Sequence, residues 1–153
     1  MSPSTILNII GKILVFVSLF MVVPVGVSLA FDQTDTIQLG ISCLITLASG
    51  ILIHAATRRH SRPELTHREA FAVVTLTWVA MSAFSCLPYL LTGTFSSFTD
   101  AYFESMSGFT TTGASVLRDI EVVPKGVLFW RSLTQWIGGM GIIVLALAVL
   151  PML

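Results

Sequence analysis

The chain has 153 residues, 54% of them hydrophobic and 10% charged, against about 25% charged in an ordinary soluble domain. Its eight basic and eight acidic residues cancel, which leaves no global field to draw nucleic acid or an acidic partner. The composition is that of an all-α membrane protein, because only helices and closed barrels satisfy their own backbone in hydrocarbon.

A hydrocarbon layer of about 30 Å is crossed by about 20 helical residues. The first segment that meets this requirement runs from Ile6 to Phe31. Its "VSLA" ending, with Ser28 and Ala30, resembles a leader-cleavage site. A leader needs a basic start and an apolar core of about 7 to 15 residues, whereas Lys12 lies inside a longer apolar run. The segment is therefore expected to span the membrane. Asp32 and Asp35 follow with no basic residue between them and the next segment, as in an external loop.

The second span is expected from Ile37 to Thr57. After it comes "RRHSRPELTHR", residues 58–68, with four of the eight basic residues: Arg58, Arg59, Arg62 and Arg68. The positive-inside rule puts that connection, and with it the amino terminus, in the cytoplasm. His54, His60 and His67 flank it without metal-site spacing and read as solvated or interfacial. A third span follows from Phe71 to Leu91, and Cys43 and Cys86, each inside an apolar run, read as buried free thiols.

Residues 92–126 are too polar for another ordinary span. Phe98, Tyr102, Met106 and Phe109 recur at helical spacing on one face, with Asp100, Glu104 and Ser107 on the other. Thr99 or Asp100 can supply a cap oxygen, and Gly108 is placed to end the helix. A helix of about 11 residues rises only about 16 Å, far enough to reach mid-membrane.

The "TTTGAS" after it is long enough to return if extended, at about 3.3 Å per residue. Non-helical backbone at that depth is tolerated where protein encloses it or where it lines a water-filled path. Threonines favour extended dihedrals, and Gly113 permits a backbone angle closed to them. The pattern is that of a re-entrant pore loop whose carbonyls replace a potassium ion's hydration shell. The short helix would aim its negative C-terminal end at the same place, with Asp100 and Glu104 nearer the outer mouth.

The fourth span is expected from Val127 to Leu153. Arg118 reads as a vestibule residue, and Arg131 as a cation snorkelling to the outer interface beside Trp130. Gly138, Gly139 and Gly141 allow close packing, with the preceding short helix as the expected neighbour. Gly108 and Gly113 have the glycine spacing of a phosphate loop, but Ala114 stands where that loop needs lysine. No nucleophile, base and orienting acid recur at one depth, so no enzyme and no organic cofactor is expected.

"AYFESMSGFTTTGAS" from Ala101 to Ser115 and "FWRSLTQWIGGMGIIVLALAVLPML" from Phe129 to Leu153 resemble the Trk, Ktr and HKT superfamily of potassium transporters, and its bacterial TrkH branch most of all. The resemblance covers essentially the whole chain. It implies that Thr111, Thr112, Gly113 and Ala114 offer filter carbonyls to potassium, with Thr110 at the inner end. Gly113 would match the filter glycine that goes with potassium preference, where serine in some relatives goes with sodium.

It also implies an architecture: residues 1–68 as an extra pair of transmembrane helices with the basic loop, and 69–153 as the first helix, re-entrant pore loop and helix unit. Family members repeat that unit four times. One loop supplies a quarter of a ring, so further repeats in a longer chain, or a homo-oligomer of identical chains, must complete it. The family pattern favours the longer chain. The implied setting is a bacterial inner membrane, with the lipid bilayer and a cytoplasmic nucleotide-binding regulatory subunit of the TrkA type as partners. The competing reading is a non-conducting membrane scaffold in which "TTTGAS" is an interhelical turn.

Overall fold

The structure is a computed structural model that describes residues 3–59 and 67–149. The described residues form six helices and no strand: α1 (Pro3–Ala30), α2 (Thr36–Thr57), α3 (His67–Ser85), α4 (Leu87–Leu91), α5 (Phe98–Phe109) and α6 (Lys125–Val149). Pro3–Ala30, Thr36–Thr57 and Glu69–Leu91 are long and apolar enough to cross a membrane. At 25 residues, α6 extends about 37 Å at about 1.5 Å per residue. The protein is an all-α membrane protein, two long helices followed by a helix, a short helix with an irregular limb, and a helix. His60, Arg62 and the rest of 60–66, with Pro151 and the last residues, lie outside the described part.

α1 and α2 form an antiparallel hairpin closed by Asp32 at φ +47°. The Gln33 N–H reaches the Ser28 carbonyl at 3.0 Å and the Asp32 N–H the Leu29 carbonyl at 3.2 Å, which is the bond pair of a Schellman cap. The hairpin's helices touch backbone to backbone. A Cβ on Gly11 would stand 2.8 Å from the His54 nitrogen, and one on Gly50 would stand 2.9 Å from the Gly11 carbonyl oxygen. Small residues draw helices together where the surrounding solvent is itself apolar. Near the same crossing buried Asn8 donates to His54 Nδ1 at 3.1 Å and to Thr57 Oγ1 at 3.2 Å, so His54 is tied to the helix pair and not merely interfacial.

The third expected span divides at Cys86. Helical bonding runs through the break, from the Cys86 N–H to Ser82 and from the Leu90 N–H to the Cys86 carbonyl, both at 3.1 Å. Pro88 lacks an N–H, and its ring crowds the preceding turn, so the helix is interrupted there while its bonding carries on. Cys43 and Cys86 are buried free thiols, as expected.

The main core gathers Val17, Met21, Leu39, Tyr89, Phe109 and Trp130. Outward faces stay apolar, with Phe16, Leu19, Leu44, Leu52 and Phe71 exposed, as suits helices surrounded by lipid. The first loop docks on the start of α6. Lys125 Nζ lies 4.0 Å from the centre of the Phe31 ring, a cation–π contact. Asp35, expected in an external loop, is buried and accepts from the Ser28 hydroxyl. Its Oδ2 would stand 2.9 Å from a Cβ on Gly126.

Candidate functional site: a short helix and its returning limb

α5 is an amphipathic helix in which neither expected face is wholly buried: Glu104 and Ser107 of the one and Phe109 of the other all meet the protein. Ala101, Glu104, Ser105, Ser107, Gly108 and Phe109 are buried, while Phe98 and Phe103 are exposed. Where the solvent is hydrocarbon, aromatics such as Phe98 and Phe103 can face outward, and small or paired polar residues take the protein face beside Phe109. The cap also differs: Ser97 occupies the N-cap without a side-chain bond, in place of Thr99 or Asp100. Asp100 sits in the first turn, where a negative charge suits the helix dipole.

Gly108 does not end the helix. A Cβ there would lie 2.5 Å from Thr134 Oγ1, so its role is close approach of α5 to α6. Termination falls to the threonines. Thr110 is the C-cap, and Thr111 has φ +54°. The Thr111 N–H bonds the Gly108 carbonyl and the Thr112 N–H the Ser107 carbonyl, each at 3.0 Å, again the Schellman pair. A β-branched residue in that region is an outlier, and it corrects the expectation that only Gly113 takes such an angle. Gly113 does take it, at φ +76°.

From there the chain doubles back along α5. Ser107 Oγ donates to the Ala114 carbonyl at 2.5 Å. Glu104, 3% exposed, accepts from Ser115 Oγ at 3.0 Å on both oxygens and from the Val116 N–H at 3.0 Å. Arg131 Nε donates to Glu104 Oε1 at 2.6 Å. Arg131 therefore does not snorkel, and its neighbour Trp130 is 0% exposed, with Nε1 donating to the Ser85 carbonyl at 3.0 Å. The sequence held a usable signal for this pair: an acid and a base in an apolar stretch must find each other once buried.

The structure brings all five sequence-predicted residues, Thr110 to Ala114, into one exposed stretch. The Thr110 carbonyl accepts from the Thr111 hydroxyl at 2.7 Å, and Thr110 Oγ1 lies 2.8 Å from Thr112 Oγ1. Among the described residues no hydrogen bond reaches the carbonyls of Thr111, Thr112 or Gly113. Beside the limb a cavity of about 620 Å³ is lined by Thr94, Asp100, Val116, Arg118 and Asp119, among others. On the other flank the Phe109 carbonyl rests on Gly138, and Thr111 Cγ2 lies 3.9 Å from a Cβ on Gly139. Of the three clustered glycines, Gly138 thus packs against α5 as expected, Gly139 faces the limb, and Gly141 has open space.

Comparison with known proteins agrees with this architecture. The family model TrkH, described as cation transport protein, matches residues 37–153. A Trk system potassium uptake protein TrkH of Halomonas elongata is 44% identical, over 100% of this chain and 32% of its own length. The Escherichia coli protein of the same name is 37% identical, over 97% of this chain and 31% of its own length. The crystal structure of the potassium transporter TrkH from Vibrio parahaemolyticus superposes with a TM-score of 0.91 at 38% identity, over 99% of this chain and 32% of that one. The chain spans about a third of the length of these relatives. With most of its residues inside the family match, the chain belongs to the TrkH family of cation transport proteins.

Proposed function

We propose that this chain supplies one unit of a potassium uptake path, with α5 and its limb as a re-entrant pore loop. In this reading the carbonyls of Thr111, Thr112, Gly113 and Ala114, with Thr110 at the inner end, stand in for the hydration shell of the ion being carried. The observation that carries it is the run of three peptide oxygens, Thr111 to Gly113, in an exposed stretch at the C-terminal end of α5 and without a hydrogen bond among the described residues. Two features support it. Positive φ at Thr111 and Gly113 breaks the alternation by which successive strand carbonyls point opposite ways. The dipole of α5 adds partial negative charge where the oxygens gather.

Potassium, rather than cations in general, is favoured because similar proteins carry the name potassium uptake protein. One limb is a quarter of a fourfold ring, so three more such limbs complete the path. The basic connection at 58–68 places that side of an inner membrane in the cytoplasm, where a nucleotide-binding regulatory subunit would meet the helix ends.

The test is Gly113→Ser in the full-length protein, read as radiotracer uptake of potassium against sodium. A Cβ at Gly113 meets nothing within 4 Å, so the change acts through the backbone angle rather than through a clash. The preference for potassium should fall. An unchanged ratio would mean that the limb is not a filter. A cysteine at Thr112 gives a second reading, because potassium should protect it from labelling in a pore and leave it freely labelled in a surface turn.

A further inference from the structure

We infer that Glu104 is a positioning residue for ion discrimination: paired with Arg131, it holds the returning limb so that the peptide oxygens from Thr111 to Gly113 keep a fixed spacing. This rests on reading Thr110 to Ala114 as the filter and adds what sets its selectivity from outside. The limb is anchored at both ends. At its start the Thr111 and Thr112 amides are bonded to α5, each at 3.0 Å. At its end Glu104 takes the Ser115 hydroxyl and the Val116 amide, also at 3.0 Å. Within the stretch, Ser107 holds Ala114 at 2.5 Å, and Gly113 has no bond among the described residues.

The end anchor is stiff. At 3% exposure the carboxylate cannot turn to water, and its bonds are charge-assisted, the stronger kind. Its counter-charge is rooted in α6 next to Trp130, which is itself bonded to the Ser85 carbonyl. Sodium is smaller than potassium and is gripped only if the oxygens close in. A limb tied at both ends does not follow it, which is how a flexible carbonyl array acquires discrimination.

The experiment uses the full-length protein in proteoliposomes, with potassium and sodium fluxes measured beside thermal melting. In Glu104→Gln the amide offers one acceptor oxygen and turns an N–H₂ toward donors. The potassium-to-sodium flux ratio should fall by about tenfold to a hundredfold, the span of losing one charge-assisted contact. Arg131→Lys keeps the charge but gives up the Nε–H donor to Glu104 and should lower the ratio in the same direction by less. If Glu104→Gln does not fold, Ser115→Ala removes the hydroxyl that donates to Glu104 and accepts from the Leu117 N–H, leaves the Val116 amide on Glu104, and should shift the ratio the same way by less. Folded variants with lowered melting temperature but an unchanged ratio would make Glu104 merely structural and overturn the inference, provided Gly113→Ser does shift the ratio. If Gly113→Ser also leaves it unchanged, the filter reading fails and takes this inference with it.

Discussion

The carbonyl oxygen of Phe109 lies against Gly138 so closely that a Cβ on Gly138 would stand 2.0 Å from it. The contact joins the last residue of α5 to the middle of α6, one residue before the limb begins. Backbone on both sides leaves no flexible side chain to move aside. Gly138→Ala should therefore displace α5, at about 1 to 3 kcal/mol or more for overpacking of this kind. A lower melting temperature together with reduced ion flux is the expected outcome. Parent-like values for both would show that the two helices have slack between them.

Thr111 invites the opposite change. A non-glycine residue in the left-handed region is strained by about 1 to 2 kcal/mol, and Thr111 sits there at φ +54°. Thr111→Gly should raise the stability of the purified protein by about 1 kcal/mol, offset in part by the greater freedom that glycine has when unfolded. Thermal melting decides it. A fall would mean that the methyl group facing Gly139 contributes more than the strain removes.

The long helices were legible because span length is set by the membrane, and the observed ends at Ala30, Thr57 and Leu91 fall within a residue of those expected. The short helix was legible as well, since its polarity interrupts the hydrocarbon pattern. Which of its residues meet the protein was not. Spacing puts Phe98, Tyr102, Met106 and Phe109 on one stripe, yet Phe109 is buried and Phe98 exposed, and α5 presents Ala101, Glu104 and Gly108 to its neighbours as well. Which side is buried depends on what surrounds the helix, and that information lies in other segments. The positive φ of Thr111 was hidden for a related reason, because the Schellman bonds fix it while local preference argues against it.

The α1–α2 hairpin gives a test that separates framework from filter. Gly50→Val would drive a side chain into the Gly11 carbonyl and the Val15 nitrogen, both 2.9 Å from a Cβ at that position. The expected result is loss of folded protein and a lower melting temperature, again by about 1 to 3 kcal/mol. The potassium-to-sodium flux ratio of the protein that does fold should be unaffected. A changed ratio would show that the hairpin sets the geometry of the limb.

Trp130 closes the frame on the opposite side, between the break in the third span and the ion pair. It is fully buried, and its indole N–H meets the Ser85 carbonyl immediately before the break at Cys86. Trp130→Phe keeps most of the volume but leaves that carbonyl without its donor, at about 1 to 3 kcal/mol. Trp130→Ala opens a cavity as well, and buried aromatic truncations of that size cost about 3 to 5 kcal/mol. Melting temperatures should therefore fall in the order parent, phenylalanine, alanine. Because Arg131 follows directly on α6, the alanine variant should also loosen the hold on Glu104 and lower potassium preference, whereas the phenylalanine variant should lose stability with little change in preference. Equal selectivity in all three proteins would mean that Arg131 is held in place without the indole.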